Sequence, residues 1–123
     1  MTRNNGIDSA ISHYYSLRPI TFHWVERLDI RQTSPDDYYE LTLEMEMRQM
    51  DPQDKRRLLL KFDGVVNLRL TPPQRMVLSM DQLEISSIKD LHWEGLKYSV
   101  KEVEDETISF LCHGFSAIVI DAL

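Results

Sequence analysis

Residues 37–47 read DYYELTLEMEM. Successive side chains of a strand point to opposite faces. Tyr39, Leu41, Leu43, Met45 and Met47 therefore share one side, and Glu40, Thr42, Glu44 and Glu46 the other. That alternation predicts a strand with one face on a core and one in water.

Upstream, Ile20, Phe22, Trp24, Leu28 and Ile30 keep the same parity, interrupted by Glu26. This predicts a strand over 20–32 with an irregularity near its middle. Thr33, Ser34, Pro35, Asp36 and Asp37 supply turn chemistry, so the two strands read as a hairpin. Downstream, RRLLLKFDGVVNLRL (56–70) places Leu58, Leu60 and Phe62 on one parity, with Val66, Leu68 and Leu70 beyond Asp63-Gly64. An Asp-Gly pair tolerates positive φ, and a bulge inside one long strand is the preferred reading over a tight turn. Pro72 and Pro73 cannot donate to a ladder, so pairing stops there or moves to an edge.

Further strand-like runs cover 76–80, 83–88, 95–103, 107–113 and 115–120. Leu96, Tyr98 and Val100 alternate with Lys97, Ser99 and Lys101. Glu104, Asp105 and Glu106 then connect to Ile108, Phe110 and Cys112, a second hairpin. The closing FSAIVIDAL is apolar on both parities, as for a central strand covered on both sides or one capped by the N-terminal segment. Only the first twenty residues depart from period two. Ile7, Ala10, Ile11, Tyr14 and Tyr15 recur at three and four, with Asp8 or Ser9 as N-cap and Pro19 beyond the end.

The expected fold is mainly β, with α+β as the alternative. It is a single domain of 1–123 with seven or eight antiparallel strands, arranged as a sandwich or a partly open barrel. A short helical segment within 1–19 packs on a β-rich core of 20–121.

Composition bounds the function. The chain has 123 residues, 42% hydrophobic, with a net charge of -6. No apolar run is long enough to cross a bilayer, and the first residues lack the apolar stretch of a secretion signal, so a cytoplasmic protein is expected. One cysteine, Cys112, makes neither an internal disulfide nor a multi-cysteine zinc cage. An acidic balance argues against nucleic acid, whose affinity rests on Lys and Arg contacts.

Phosphate-cradle, dinucleotide and nucleophile-elbow motifs are all missing. No catalytic residue, metal or cofactor is therefore assigned. Cys112 lies in an apolar strand, a setting for a structural thiol. A metal reading would join His23 with Glu26, or His92 with Glu94, with His23 or His113 recruited to the latter for a hydrolase, but strand spacing separates the first pair and leaves the second with only two of the usual three ligands. His13 completes the histidines, which are read as ordinary hydrogen-bonding residues. The methionines fill core. Trp24 is read as core, while Trp93 is balanced between core and anchor. A carrier with an apolar cavity lined by Phe22, Trp24, Tyr39 and Phe62 is the second functional reading, and a metal-dependent hydrolase the third.

Charge patterning carries the first reading. Asp36, Asp37, Glu40, Glu44 and Glu46 fall in a segment without Lys or Arg, and Glu102, Glu104, Asp105 and Glu106 form a second acidic run. Lys55, Arg56, Arg57, Lys61, Arg69 and Arg75 stand between them against Asp63 alone. Cross-strand ion pairs on a solvated face would explain this at little net stability. The functional alternative is an acidic face that steers a basic protein partner. Its expected residues are Glu40, Glu44, Glu46, Glu102, Glu104, Asp105 and Glu106, on a chain that is a monomer or homodimer.

FHWVERLDI, LLLKFDGVVNLRL and the closing ISFLCHGFSAIVID together resemble the bacterial immunity protein 50 family and related small domains of polymorphic-toxin systems. In that pattern a strand of F-H-D-A-x-V type opens the domain. His23 matches it, while Trp24 stands in place of the aspartate, which puts any role of the His-Asp pair in doubt. The resemblance implies a β-rich protein that binds and blocks a cognate toxin without catalysis of its own, and an acidic surface would suit a cationic toxin.

Overall fold

A computed structural model describes residues 8–34, 37–71, 82–88, 95–103 and 106–121. The expected strand over 76–80, the turn at Pro35-Asp36, and His92, Trp93, Glu94, Glu104 and Asp105 lie outside them. So do the side chains of Asp37 and Tyr39.

Helix α1 spans Ser9–Ser16. Asp8 is its N-cap, the carboxylate accepting from the Ala10 and Ile11 amides at 2.9 and 3.1 Å. That satisfies two of the donors a helix start leaves open. Among the described residues seven antiparallel strands follow: β1 Phe22–Ser34, β2 Asp37–Gln49, β3 Arg56–Leu70, β4 Leu83–Ser87, β5 Tyr98–Glu102, β6 Ile108–Cys112 and β7 Gly114–Asp121. Their order is β1-β2-β3-β6-β5-β4, with β7 also paired to β3.

The molecule is mainly β with a short N-terminal helix, as the alternation requires. The β1–β2 hairpin and the β5–β6 hairpin both form. β3 is one continuous strand bulged at Asp63-Gly64, where Gly64 takes φ +64. The extra residue turns Val65, and not Val66, fully into the core, so the parity does shift there. β6 and β7 lie end to end along β3, from Leu70 opposite Ile108 to Arg56 opposite Asp121, joined by a kink at His113. Bulges bend strands. β3 thereby belongs to two halves of an open sheet, one with β1, β2 and β7, the other with β6, β5 and β4.

The core lies on the inner face. Leu43, Met45, Met47, Leu58, Leu60, Val100, Ile108 and Cys112 are buried. Phe62 packs edge-on against Phe110 and stacks on Phe115, which in turn meets Tyr98 and Tyr14. α1 lies between two strand edges. Tyr14 Oη donates to the Leu83 carbonyl at 2.7 Å, the Ile85 amide donates to Tyr15 Oη at 3.1 Å, and His13 Nε2 donates to the Ala117 carbonyl at 2.9 Å. The helix thus supplies side-chain partners where, among the described residues, β4 and β7 lack a neighbouring strand.

Three expectations are corrected. β1 starts at Phe22, and Ile20 sits exposed in a 3-10 turn, Pro19–Thr21. Trp24 is not core. β1 carries irregularities between Phe22 and Trp24 and again between Val25 and Arg27. The first reverses the parity and the second restores it, so Val25 faces inward and Trp24 stands opposite Arg48 on the outer face. Of the two expectations for β7, coverage on both sides fails, since Phe115, Ala117 and Val119 face the core while Ile118 and Ile120 are exposed, whereas capping by the N-terminal segment holds, through His13 on the Ala117 carbonyl.

Candidate partner-binding face

The register lays the outer face of β1, β2, β3 and β7 out in rows. Trp24, Arg48, Arg57 and Ile120 lie side by side. Arg27, Glu46, Leu59 and Ile118 form the next row, and Asp29, Glu44, Lys61 and Ser116 the next. An antiparallel sheet packed on one side presents such a face to water.

Its left half is a chain of ion pairs. Glu26 contacts Arg48 at 3.0 Å and Arg57 at 3.3 Å, and Arg57 continues to Glu46 at 3.9 Å. Arg27 joins Glu46 at 3.7 Å to Glu44 at 3.6 Å, and Glu44 holds Arg31 at 2.6 Å. Asp29 lies within 3.9 Å of Arg27 and 3.8 Å of Arg31. These side chains are partly exposed, so each pair contributes only about 0–1 kcal/mol. Their larger effect is on order, because Arg27, Arg31 and Arg57 each bridge two or more carboxylates.

The right half is apolar. Ile118 is 51% exposed and Ile120 40%, and Leu59 is half-buried between them and the ion pairs. A shallow depression of about 210 Å³ lies over Leu59, Lys61, Ser116 and Ile118, bordered by Arg27 and Glu44. A second, of about 370 Å³, lies at Trp24, Arg48, Met50 and Pro52. Trp, Met and Arg over apolar floor with a charged border is the composition of protein-interface centres.

The acidic residues expected to form one surface are distributed differently. Glu44 and Glu46 are neutralised within the arginine chain. Glu40 contacts His113 Nε2 at 3.2 Å. Glu102 is 2% exposed and accepts the Thr107 amide at 2.9 Å, bracing the β5–β6 connection instead of facing a partner. Its parity with Tyr98 and Val100 was the signal for this. Glu106 is exposed at φ +50, and Glu104 and Asp105 lie outside the described residues. Arg48, Arg57, Leu59, Ile118 and Ile120 were missed as members of the face. Only the cross-strand register reveals them as neighbours.

The chemistry of the alternatives is also decided locally. Burial pushes the Cys112 thiol up to about 12, with the Asp63 charge adding to it and a hydrogen bond from Gly114 opposing it, so the sulfur is a neutral packing group. Glu26 is committed to two arginines, and His23 packs edge-on against Trp24 at 4.7 Å. Among the described residues, no three His, Cys, Asp or Glu side chains converge to hold a metal ion. Phe22 and Phe62 are packed in the core rather than lining a cavity, and Trp24 lies on the opposite side of the sheet from them. Among the described residues no helix is long and apolar enough to cross a membrane.

Residues 6–118 match a family described as immunity protein PIM8, which takes in α1 and nearly all of the sheet. The chain belongs to the immunity protein PIM8 family. The likeness to immunity proteins read from the strand patterns therefore stands, with PIM8 as the family that matches. No curated protein and no solved structure matches the chain significantly. For a PIM8 family member, a protein-binding role follows, and an open, mixed-charge face with an apolar side is the kind of surface that role needs.

Proposed function

We propose that this PIM8 protein is the inhibitory half of a toxin–immunity pair, acting by binding a cognate toxin and blocking it, with no reaction of its own. The family match over residues 6–118 carries this reading. The outer face of β1, β2, β3 and β7 is its contact surface, with Leu59, Ile118 and Ile120 as the apolar centre.

Glu40, Glu44, Glu46 and Glu106 contribute the acidic part. Arginines hold Glu44 and Glu46 in place before any partner arrives, which lowers the ordering cost of engaging a basic group. The whole-chain charge of -6 favours a cationic toxin at long range and raises the encounter rate. Within the face itself, Arg27, Arg31, Arg48, Arg57 and Lys61 outnumber Glu26, Asp29, Glu44 and Glu46 by one. Steering therefore comes from the molecule as a whole, and specificity from the face.

The test is co-expression with the open reading frame beside its gene. The wild-type chain is expected to rescue growth, and Ile118→Lys with Ile120→Lys to lose rescue while remaining folded by circular dichroism. An adjacent product that is not toxic, or toxicity that the wild-type chain leaves untouched, defeats the proposal.

A further inference from the structure

The described sheet has three strand edges without a neighbouring strand. α1 meets two of them, through Tyr14 and Tyr15 on β4 and His13 on β7. The third is the outer edge of β1. Among the described residues, no hydrogen bond reaches the backbone of residues 27–32 from that side. This stretch is also the regular part of the strand, bounded by the irregularities between Val25 and Arg27 and between Gln32 and Ser34. It contains neither Pro nor Gly. A row of unpaired N–H and C=O groups on a regular strand is a template for another strand.

We propose that the occupant is a second copy of this chain, paired antiparallel about a two-fold axis at Ile30. Residues directly opposite in an antiparallel pair point to the same side of the sheet, so an axis perpendicular to the sheet must pass at a residue position. Four positions are available, and one of them, at Arg31, sets Arg31 against itself and carries the pairing into the irregularity between Gln32 and Ser34. An axis at Asp29 sets Asp29 against itself and Arg27 against Arg31 of the second copy, opposing like charges throughout. An axis at Leu28 sets Arg27 against Asp29 but carries the pairing into the irregularity at 25–27. An axis at Ile30 uses residues 28–32, all within the regular stretch. It places Asp29 opposite Arg31 of the second copy, and the symmetry repeats that pair.

These outward side chains are available, at 41% exposure for Asp29 and 58% for Arg31. Ile30 points to the core side yet is 37% exposed, since none of the described residues pairs with the outer edge beside it, and its own counterpart would cover it. The dimer joins the two sheets edge to edge and sets the two outer faces beside one another. Five paired residues bury far less than the ~1,600 Å² of a standard interface, so association is weak and appears only as concentration rises.

Sedimentation of the full chain over a concentration series is the test. The mass is expected to rise from 14.5 kDa toward twice that value. Asp29→Arg, which sets arginines against each other, holds the chain monomeric. Adding Arg31→Asp to it restores opposite charges and restores the dimer. Ile30→Cys gives an interchain disulfide under mild oxidation and Leu28→Cys does not. A wild-type chain that stays monomeric throughout, with no cross-link from Ile30→Cys, overturns the proposal and leaves this edge to a strand of another protein. A folded double variant that fails to regain the dimer, or equal cross-linking from Leu28→Cys, overturns the axis. None of these outcomes bears on toxin blocking, which growth rescue reads separately.

Discussion

Replacing Gly64 with alanine tests the junction where β3 changes partners. Gly64 holds φ +64, and a Cβ built there lies 2.6 Å from His113 Cγ and 2.7 Å from Nδ1. The left-handed conformation costs a residue with a Cβ roughly 1–2 kcal/mol. Displacing the ring adds about 1–3 kcal/mol of overpacking strain, and the His113 contact with Glu40 is lost with it. Together the expected loss is about 2–5 kcal/mol, a large share of the ~5–15 kcal/mol that typically holds a domain of this kind. For 123 residues that lowers Tm by roughly 10 °C. The assay is urea denaturation of Gly64→Ala in wild-type and His113→Ala backgrounds. Without the ring only the conformational part remains, so the loss should fall to roughly 1–2 kcal/mol and the cycle should show a coupling of about 1–3 kcal/mol. Equal losses in both backgrounds would show that the ring is not what excludes a side chain there.

Three further outcomes are expected. Tyr14→Phe removes the donor to the Leu83 carbonyl and leaves a buried acceptor, at about 1–2 kcal/mol in denaturant titration; no change would mean that α1 does not hold the β4 edge. Cys112, with its thiol near 12, should resist a thiol reagent at pH 8 until the chain unfolds, and stability should decline as pH rises above roughly 8.5, where only the unfolded thiol ionises; rapid native labelling would refute its burial. Hydrogen bonds from Arg56 hold the Asp54 carboxyl at about 2. Its contribution is present above the unfolded value of roughly 4 and lost as pH falls through the folded one, and Arg56→Gln should raise the carboxyl toward that unfolded value in an NMR titration.

Alternation along the chain determined the class of fold, because which side a strand residue faces is a local property. It placed Leu43, Met45, Met47, Leu58 and Leu60 in the core, and the Asp63-Gly64 pair marked the bulge because few other dipeptides accept that backbone. The Asp8 cap was local in the same sense. Tertiary structure decided what those local patterns leave free. The reversals at the start of β1, which turned Trp24 out of the core, depend on extra residues in one strand relative to its partner. Whether Glu44 and Glu46 form a bare acidic face or are neutralised by Arg27, Arg31 and Arg57 depends on pairing across three strands. A one-residue slip sends every side chain to the other face. Charge is written in sequence, but its partners are set by register, which exists only once the strands have met.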